Sequence, residues 1–247
     1  MLVAASSHCF SDMGFDDACR QLTDLGYDKV EIWLSEGSGH LEPEEVADDP
    51  DRFCGRYREA TRLTPISFHC EQDVTPSVFQ GLAKAAKVLR IAQITIPASP
   101  LGTPFNTEID RLRELTTIAS EGGIRLSLKT QIGHLTEDPH TAVELCQAVT
   151  GLGLTLDPSH YIAGPNRGKS YDQVYPHVYH VHLRDTTADQ LQVKVGLGEI
   201  DYSRLINQLR RYDHEQALSV DLVPALLGDE DRELEMRKLR MLLETLL

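Results

Sequence analysis

Short stretches in which apolar and polar residues strictly alternate recur along the chain, with stretches of helical period between them. Lys29 to Leu34 sets Val30, Ile32 and Leu34 against Glu31 and Trp33. Pro65 to Cys70 sets Ile66 and Phe68 against Ser67 and His69. Gln93 to Pro97 sets Ile94 and Ile96 against Thr95 and Pro97. Ile124 to Lys129 sets Ile124, Leu126 and Leu128 against Arg125, Ser127 and Lys129. From Leu152 onward, three leucines oppose Gly153, Thr155 and Asp157, and Pro158 stops the strand because it lacks a ladder donor. Val178 to Arg184 sets Tyr179, Val181 and Leu183 against His180, His182 and Arg184. Ala217 to Leu222 sets Leu218, Val220 and Leu222 against Ser219 and Asp221. A short first strand over Leu2 to Ser6 completes the set.

Helices are predicted over Phe15 to Leu25, Pro50 to Arg62, Pro76 to Leu89, Asn106 to Glu121, Asp138 or Pro139 to Val149, Asp201 to Tyr212 and Asp229 to Leu246, with a short one before strand seven. Ser35 to Asp49, acidic and Gly-rich, is predicted as a loop or lid. Eight strands alternating with eight helices predict an α/β fold, a single-domain (β/α)8 TIM barrel over residues 1–247. Buried parallel strands are usually apolar on both faces. Here one face of strands two to eight carries polar groups, which points to a site inside the barrel.

In such barrels the chemistry gathers at the C-terminal strand ends. The inward positions there are Glu31, His69, Lys129, Asp157, His182 and Asp221, followed closely by His160 and Arg184. Two carboxylates with one or two imidazoles suit a divalent metal such as Mn, Co, Mg or Zn. Each residue also has a plainer role. A histidine at a strand end can be a packed, hydrogen-bonded side chain. Asp157 can cap the next turn, Asp221 can pair with Arg184 or Lys129, and His180 lies deeper and is structural. Trp33 is either a sugar-stacking platform or lumen filling. Arg167, Lys169 and Arg184 can bind an anionic group or stand as solvated loop charges. Gly196 to Asp201 is a turn with Asp201 as a helix N-cap, not a phosphate loop.

A net charge of −14 argues against nucleic-acid and anionic-membrane partners. No apolar run approaches the roughly 20 residues of a membrane span, and the first residues lack a signal-peptide pattern. Five scattered cysteines without a C-x-x-C pair fit a reducing, cytoplasmic setting.

The runs L-T-L-D-P-S-H (154 to 160), H-V-H-L-R-D (180 to 185) and G-L-G-E-I-D (196 to 201), with V-E-I (30 to 32) and L-T-E-D-P (135 to 139), resemble the xylose isomerase-like TIM barrel superfamily. That group holds sugar phosphate isomerases and epimerases, inosose dehydratases and hydroxypyruvate isomerases, and is related to AP endonuclease family 2. The resemblance spans essentially the whole chain. It implies metal ligands Glu, Asp, His and Glu from strands five to eight, of which Asp157 matches the second, His182 the third and Asp221, shortened, the last. At the first position Lys129 stands where the resemblance implies glutamate, and an ammonium there opposes a metal. The extra Asp-x-His zinc ligands of the AP endonuclease branch are matched by Gln190, Leu191 and Gln192, which cannot serve.

Two functions follow as expectations. One is an isomerase or epimerase acting by proton transfer on a small sugar, polyol or keto-acid, neutral or anionic. Asp157, His182 and Asp221 would hold the metal. Lys129, Glu31 and Asp221 would be the catalytic groups, and His69, His160, Arg184 and Trp33 would bind substrate. The other is a metal-free relative, with Lys129 in an internal ion pair, that binds a ligand or joins a complex. A monomer or homodimer is expected in either case.

Overall fold

The computed structural model describes residues 1–227 and 231–247. Eight parallel strands close in chain order into a barrel: β1 (Leu2–Ser6), β2 (Lys29–Leu34), β3 (Thr64–Cys70), β4 (Gln93–Pro97), β5 (Arg125–Lys129), β6 (Leu152–Leu156), β7 (Val178–Leu183) and β8 (Ala217–Val220), with β8 pairing back onto β1. Their outward faces make the core. Ile32, Leu34, Ile94, Ile96, Leu126, Leu128, Leu154, Leu156, Val181, Leu183, Leu218 and Val220 are all fully buried against the helices. Each such side chain contributes about 1.5–3 kcal/mol relative to exposure.

The helices are α1 (Phe15–Asp24), α2 (Pro43–Asp48), α3 (Pro50–Ala60), α4 (Pro76–Leu89), α5 (Phe105–Gly122), α6 (Pro139–Ala148), α7 (Pro158–Ile162), α8 (Tyr202–Arg211) and α9 (Arg232–Leu246). Local chemistry sets their starts. Thr75, Asp138, Asp201 and Asp231 each accept a first-turn backbone N–H, and a proline opens both α4 and α6. The segment expected to be a loop or lid contains α2, whose Val46 is buried. The short helix expected before β7 is a 3₁₀ turn, Asp172–His177, interrupted by Pro176. The expected start of the last helix at Asp229 and Glu230 lies outside the described residues.

The alternation expected for β3 and β7 is broken by one residue in each. Val30 pairs with Pro65 but Glu31 with Ser67, and Leu154 pairs with Val178 but Thr155 with His180. Ile66 and Tyr179 are thus extra residues, and each bulge immediately precedes a residue that meets Glu31 inside the barrel. Tyr179 does not join the outer apolar face as expected. Its ring lies across Gly153, where any Cβ would overlap it, and under the guanidinium of Arg125 5.2 Å away. These residues fill the N-terminal end. Above them Gln93, Thr95, Ser127 and Thr155 form a buried layer of mutual hydrogen bonds between 2.7 and 3.4 Å. Among the described residues no helix is long and apolar enough to cross a membrane. All five cysteines are buried and unpaired.

Candidate active site

The end of β6 delivers Asp157 to the barrel mouth, and Pro158 starts α7 directly behind it. The carboxylate serves two partners at once. Oδ1 accepts from the backbone N–H of Ser159 at 3.1 Å and from its hydroxyl. Oδ2 accepts from Arg184 Nη2 at 2.8 Å. The same Nη2 donates to Asp221 Oδ2 at 2.7 Å, so one guanidinium, 1% exposed, bridges the two carboxylates. Lys129 Nζ lies 3.8 Å from Asp221 Oδ2. Burial alone would raise both carboxyls, but Arg184, Lys129 and the neighbouring imidazoles hold Asp157 below, and Asp221 well below, the usual carboxylate range.

Asp221 has a third partner that the strand pattern did not reveal. Its Oδ1 is 2.8 Å from Nδ1 of His8, in a 3₁₀ turn (Ser7–Phe10) just after β1. In the tautomer with Nδ1–H donating to the carboxylate, the lone pair is on Nε2, which has no hydrogen-bond partner among the described residues. The ring stacks on Trp33, with centroids 4.6 Å apart and planes 19° apart. Trp33, 5% exposed, props His8 rather than offering an open platform. Its indole N–H donates to Glu71 Oε2 at 2.9 Å. Burial would raise the Glu71 carboxyl, but Lys129, His69 and the indole N–H bring it to about 2. The position of His8 in S-S-H, two residues past the first strand, was the available signal. Glu71, just beyond β3, had none apart from its place.

His160 sits beside Asp157, its Nε2 3.6 Å from Oδ2. Its Nδ1 accepts the backbone N–H of Ile132 at 3.2 Å, so the neutral ring carries its proton on Nε2. Burial, aided by Arg184 and Lys129 against Asp157, lowers its pKa to about 4.

Glu31 lies below the mouth and is fully buried. His180 Nε2 is 2.7 Å from its Oε2, His182 Nε2 is 2.9 Å from its Oε1, and Ser67 Oγ donates to Oε2 at 2.9 Å. Burial pushes this carboxyl up, but His182 and His180 outweigh it and hold it well below the usual range. His182 spans both levels, with Nδ1 3.5 Å from Asp221 Oδ2. His69, 1% exposed, faces Glu31 and Glu71, each at 3.9 Å, and burial with Lys129 lowers it to about 3.

The structure therefore gathers Lys129, Asp157, His160, Arg184 and Asp221 at the mouth and sets Glu31, His180 and His182 beneath it. Arg167 and Lys169 stand on an exposed loop, paired with Asp189 and Asn166. In G-L-G-E-I-D, Asp201 caps α8, while Gly196 and Gly198 donate backbone N–H groups to Asp185. Two triads offer ligand atoms within 4.8 Å of one another, Asp157–His182–Asp221 and Glu31–His180–His182.

No curated protein matches the chain in sequence. Solved structures similar to it over nearly their whole length include a xylose isomerase-like TIM barrel protein from Mycobacterium smegmatis in complex with magnesium, at 16% identity and TM-score 0.78, covering 100% of this chain and 98% of that one. A D-psicose 3-epimerase in the presence of D-fructose aligns at 12% identity and TM-score 0.77, covering 100% and 99%. The probable 3-DHS dehydratase AsbF from Bacillus anthracis aligns at 17% identity and TM-score 0.73, covering 99% of each chain. At these identities the likeness is one of fold. The sequence model of the xylose isomerase-like TIM barrel family matches residues 19–242, and the chain belongs to that family.

Proposed function

We propose that the chain is an isomerase- or epimerase-type enzyme that moves a proton at the carbon next to a carbonyl in a small sugar, polyol-derived or keto-acid substrate. The observation that carries this reading is the His8–Asp221 pair at 2.8 Å, with Nε2 unpartnered among the described residues and Lys129 and Arg184 on the other oxygen of the same carboxylate. Asp221 holds the His8 tautomer that leaves Nε2 basic, and Nε2 takes the substrate proton. Negative charge then develops on the carbonyl oxygen. The Lys129 ammonium and the Nε2–H of His160 are the donors available to meet it. Return of that proton by Nε2 to the neighbouring carbon, with a hydroxyl proton passing from one enediolate oxygen to the other, gives an isomer; an epimer requires a second acid that delivers a proton to the opposite face while His8 keeps the first. Glu31, two contacts below through His182 and Asp221, is a positioning residue. Three carboxylates (Glu71, Asp157, Asp221) against two cations favour a neutral polyhydroxy substrate over an anionic one. The epimerase and dehydratase among the similar structures support the reading.

A divalent metal does not fit the Asp157–His182–Asp221 triad as it stands. The two carboxylate oxygens nearest each other both accept from Arg184, and Lys129 stands beside one of them. At ~4 Å and an effective dielectric of 20, each pair of unit charges is worth about 4 kcal/mol. A dication there would face twice that from each neighbouring cation. The guanidinium and ammonium supply the neutralising charge themselves.

The test is to incubate the protein with a panel of ketoses, aldoses and 2-keto-acids in D2O and follow deuterium at the carbon beside the carbonyl. Incorporation with at least one compound is expected. It should not rise on adding magnesium or manganese, and it should be lost in His8→Ala. If no compound exchanges, the chain is a ligand-binding relative without this chemistry.

A further inference from the structure

Glu31 differs from the other two carboxylates of the lumen. Asp157 and Asp221 share Arg184, whereas no lysine or arginine among the described residues pairs with Glu31, and its partners are imidazoles and a hydroxyl. A buried carboxylate without a cation is costly. We propose that Glu31, His180 and His182 hold a transition-metal ion such as zinc or cobalt, in a structural site below the mouth that shares only His182 with the Asp157–His182–Asp221 triad.

The geometry has the features of a ligand set. One atom from each residue lies within 4.8 Å of the others, and each imidazole presents Nε2 to the carboxylate, at 2.7 and 2.9 Å. Donors about 2.0–2.1 Å from a tetrahedral zinc lie roughly 3.4 Å from one another, so an ion enters with small side-chain adjustments. The His180 and His182 rings stand at 89° with centroids 5.3 Å apart, so the two imidazoles meet edge to face rather than stacked. A fourth donor is at hand. His69 Nδ1 is buried without a hydrogen-bond partner, 3.9 Å from Glu31 Oε1.

The surrounding contacts are those that orient metal ligands. His182 Nδ1 has no hydrogen-bond partner among the described residues and lies 3.5 Å from Asp221 Oδ2, so a small turn of the ring toward an ion on Nε2 would let Nδ1–H donate to that carboxylate. Ser67 donates to the Glu31 carboxylate, and Ser219 Oγ lies 3.0 Å from His180 Nε2, near enough to reorient when the ion binds. Two imidazoles with one carboxylate, and a third imidazole in reach, suit zinc, cobalt or nickel better than magnesium. The ion would tie β2 to β7 across the lumen.

The test is metal analysis of the purified full chain, followed by titration of the metal-stripped protein with Co(II), read by visible absorption and by melting temperature. About one equivalent is expected, with a raised melting temperature and displacement of cobalt by zinc. Glu31→Gln and His180→Asn should each weaken cobalt binding at least tenfold, and Asp157→Asn should leave it unchanged. Melting of each variant without metal establishes that it is folded. Failure of the folded wild type to take up a stoichiometric ion overturns the proposal. So does uptake that survives Glu31→Gln and His180→Asn but is lost in Asp157→Asn, which would assign the ion to the upper triad.

Discussion

His8 and Asp221, 213 residues apart in the chain, meet at 2.8 Å where β8 closes the barrel onto β1. The carboxylate fixes which nitrogen of the imidazole is free. Asp221→Asn keeps the shape, but its amide can donate to Nδ1 and so drive the proton onto Nε2. Deuterium exchange into a responsive substrate should fall by about 10²–10⁴-fold in this variant and in His8→Ala, the range for a lost general base. A loss below tenfold would remove His8 from the proton-carrying role.

Arg184 and Lys129 supply the positive charge at the mouth. Replacing Arg184 with alanine leaves two buried carboxylates facing one another, and the protein should lose about 3–5 kcal/mol of stability in denaturant titration. Lys129→Glu combined with Arg184→Ala should convert the upper triad into a divalent-cation site. Calorimetric titration with manganese should then show binding absent from the same site of the wild type. If the double variant folds and takes up no manganese there, the charge argument against a metal at this triad is wrong.

Gly198 has no room for a side chain, since a Cβ there would overlap the Asp185 carboxylate, which accepts the Gly196 and Gly198 amides. Gly198→Ala should cost about 1–3 kcal/mol through overpacking. Gly55, exposed in the middle of α3 with nothing near its missing Cβ, is the control. Gly55→Ala should stabilise the protein by roughly 0.5–1 kcal/mol. Chemical denaturation of the two variants checks both signs.

Stability should decline as pH falls from neutrality. Burial lowers His160 to about 4, His69 to about 3 and His214 to about 4 in the folded chain. In the unfolded chain they protonate near 6.5. Between those values the unfolded state binds more protons, so this stability is present above about pH 6.5 and drains away down to about 4. Each group contributes up to about 1.4 kcal/mol per pH unit. Denaturant midpoints at pH 7.5, 6 and 5 test the slope, which His214→Gln should reduce. A flat profile would mean these imidazoles take up protons at the same pH in the folded and unfolded chain.

The barrel was legible because strict alternation assigns faces, and chain order then leaves one topology for eight short parallel strands. The inward set from Glu31 to Asp221 followed from parity alone. What parity could not supply was depth and angle. Glu31 occupies an inward position yet lies beneath His182, and Tyr179 left its expected face because of a one-residue bulge that no local residue type signals. His8 escaped because it stands in a turn, where alternation carries no information. The Arg184 bridge was foreseen only as one of two possible partners for Asp221. Its second bond, to Asp157, depends on how far apart the ends of β6 and β8 lie.

The filled lower end of the barrel has a consequence for time rather than position. With the Tyr179 ring across Gly153 and the hydroxyl layer above it, the route from Glu31 to bulk water leads past His69 and His182. An ion held by Glu31 therefore enters and leaves only as fast as those rings swing aside, so cobalt uptake by the metal-stripped barrel and its displacement by zinc should be followed over hours rather than read at mixing.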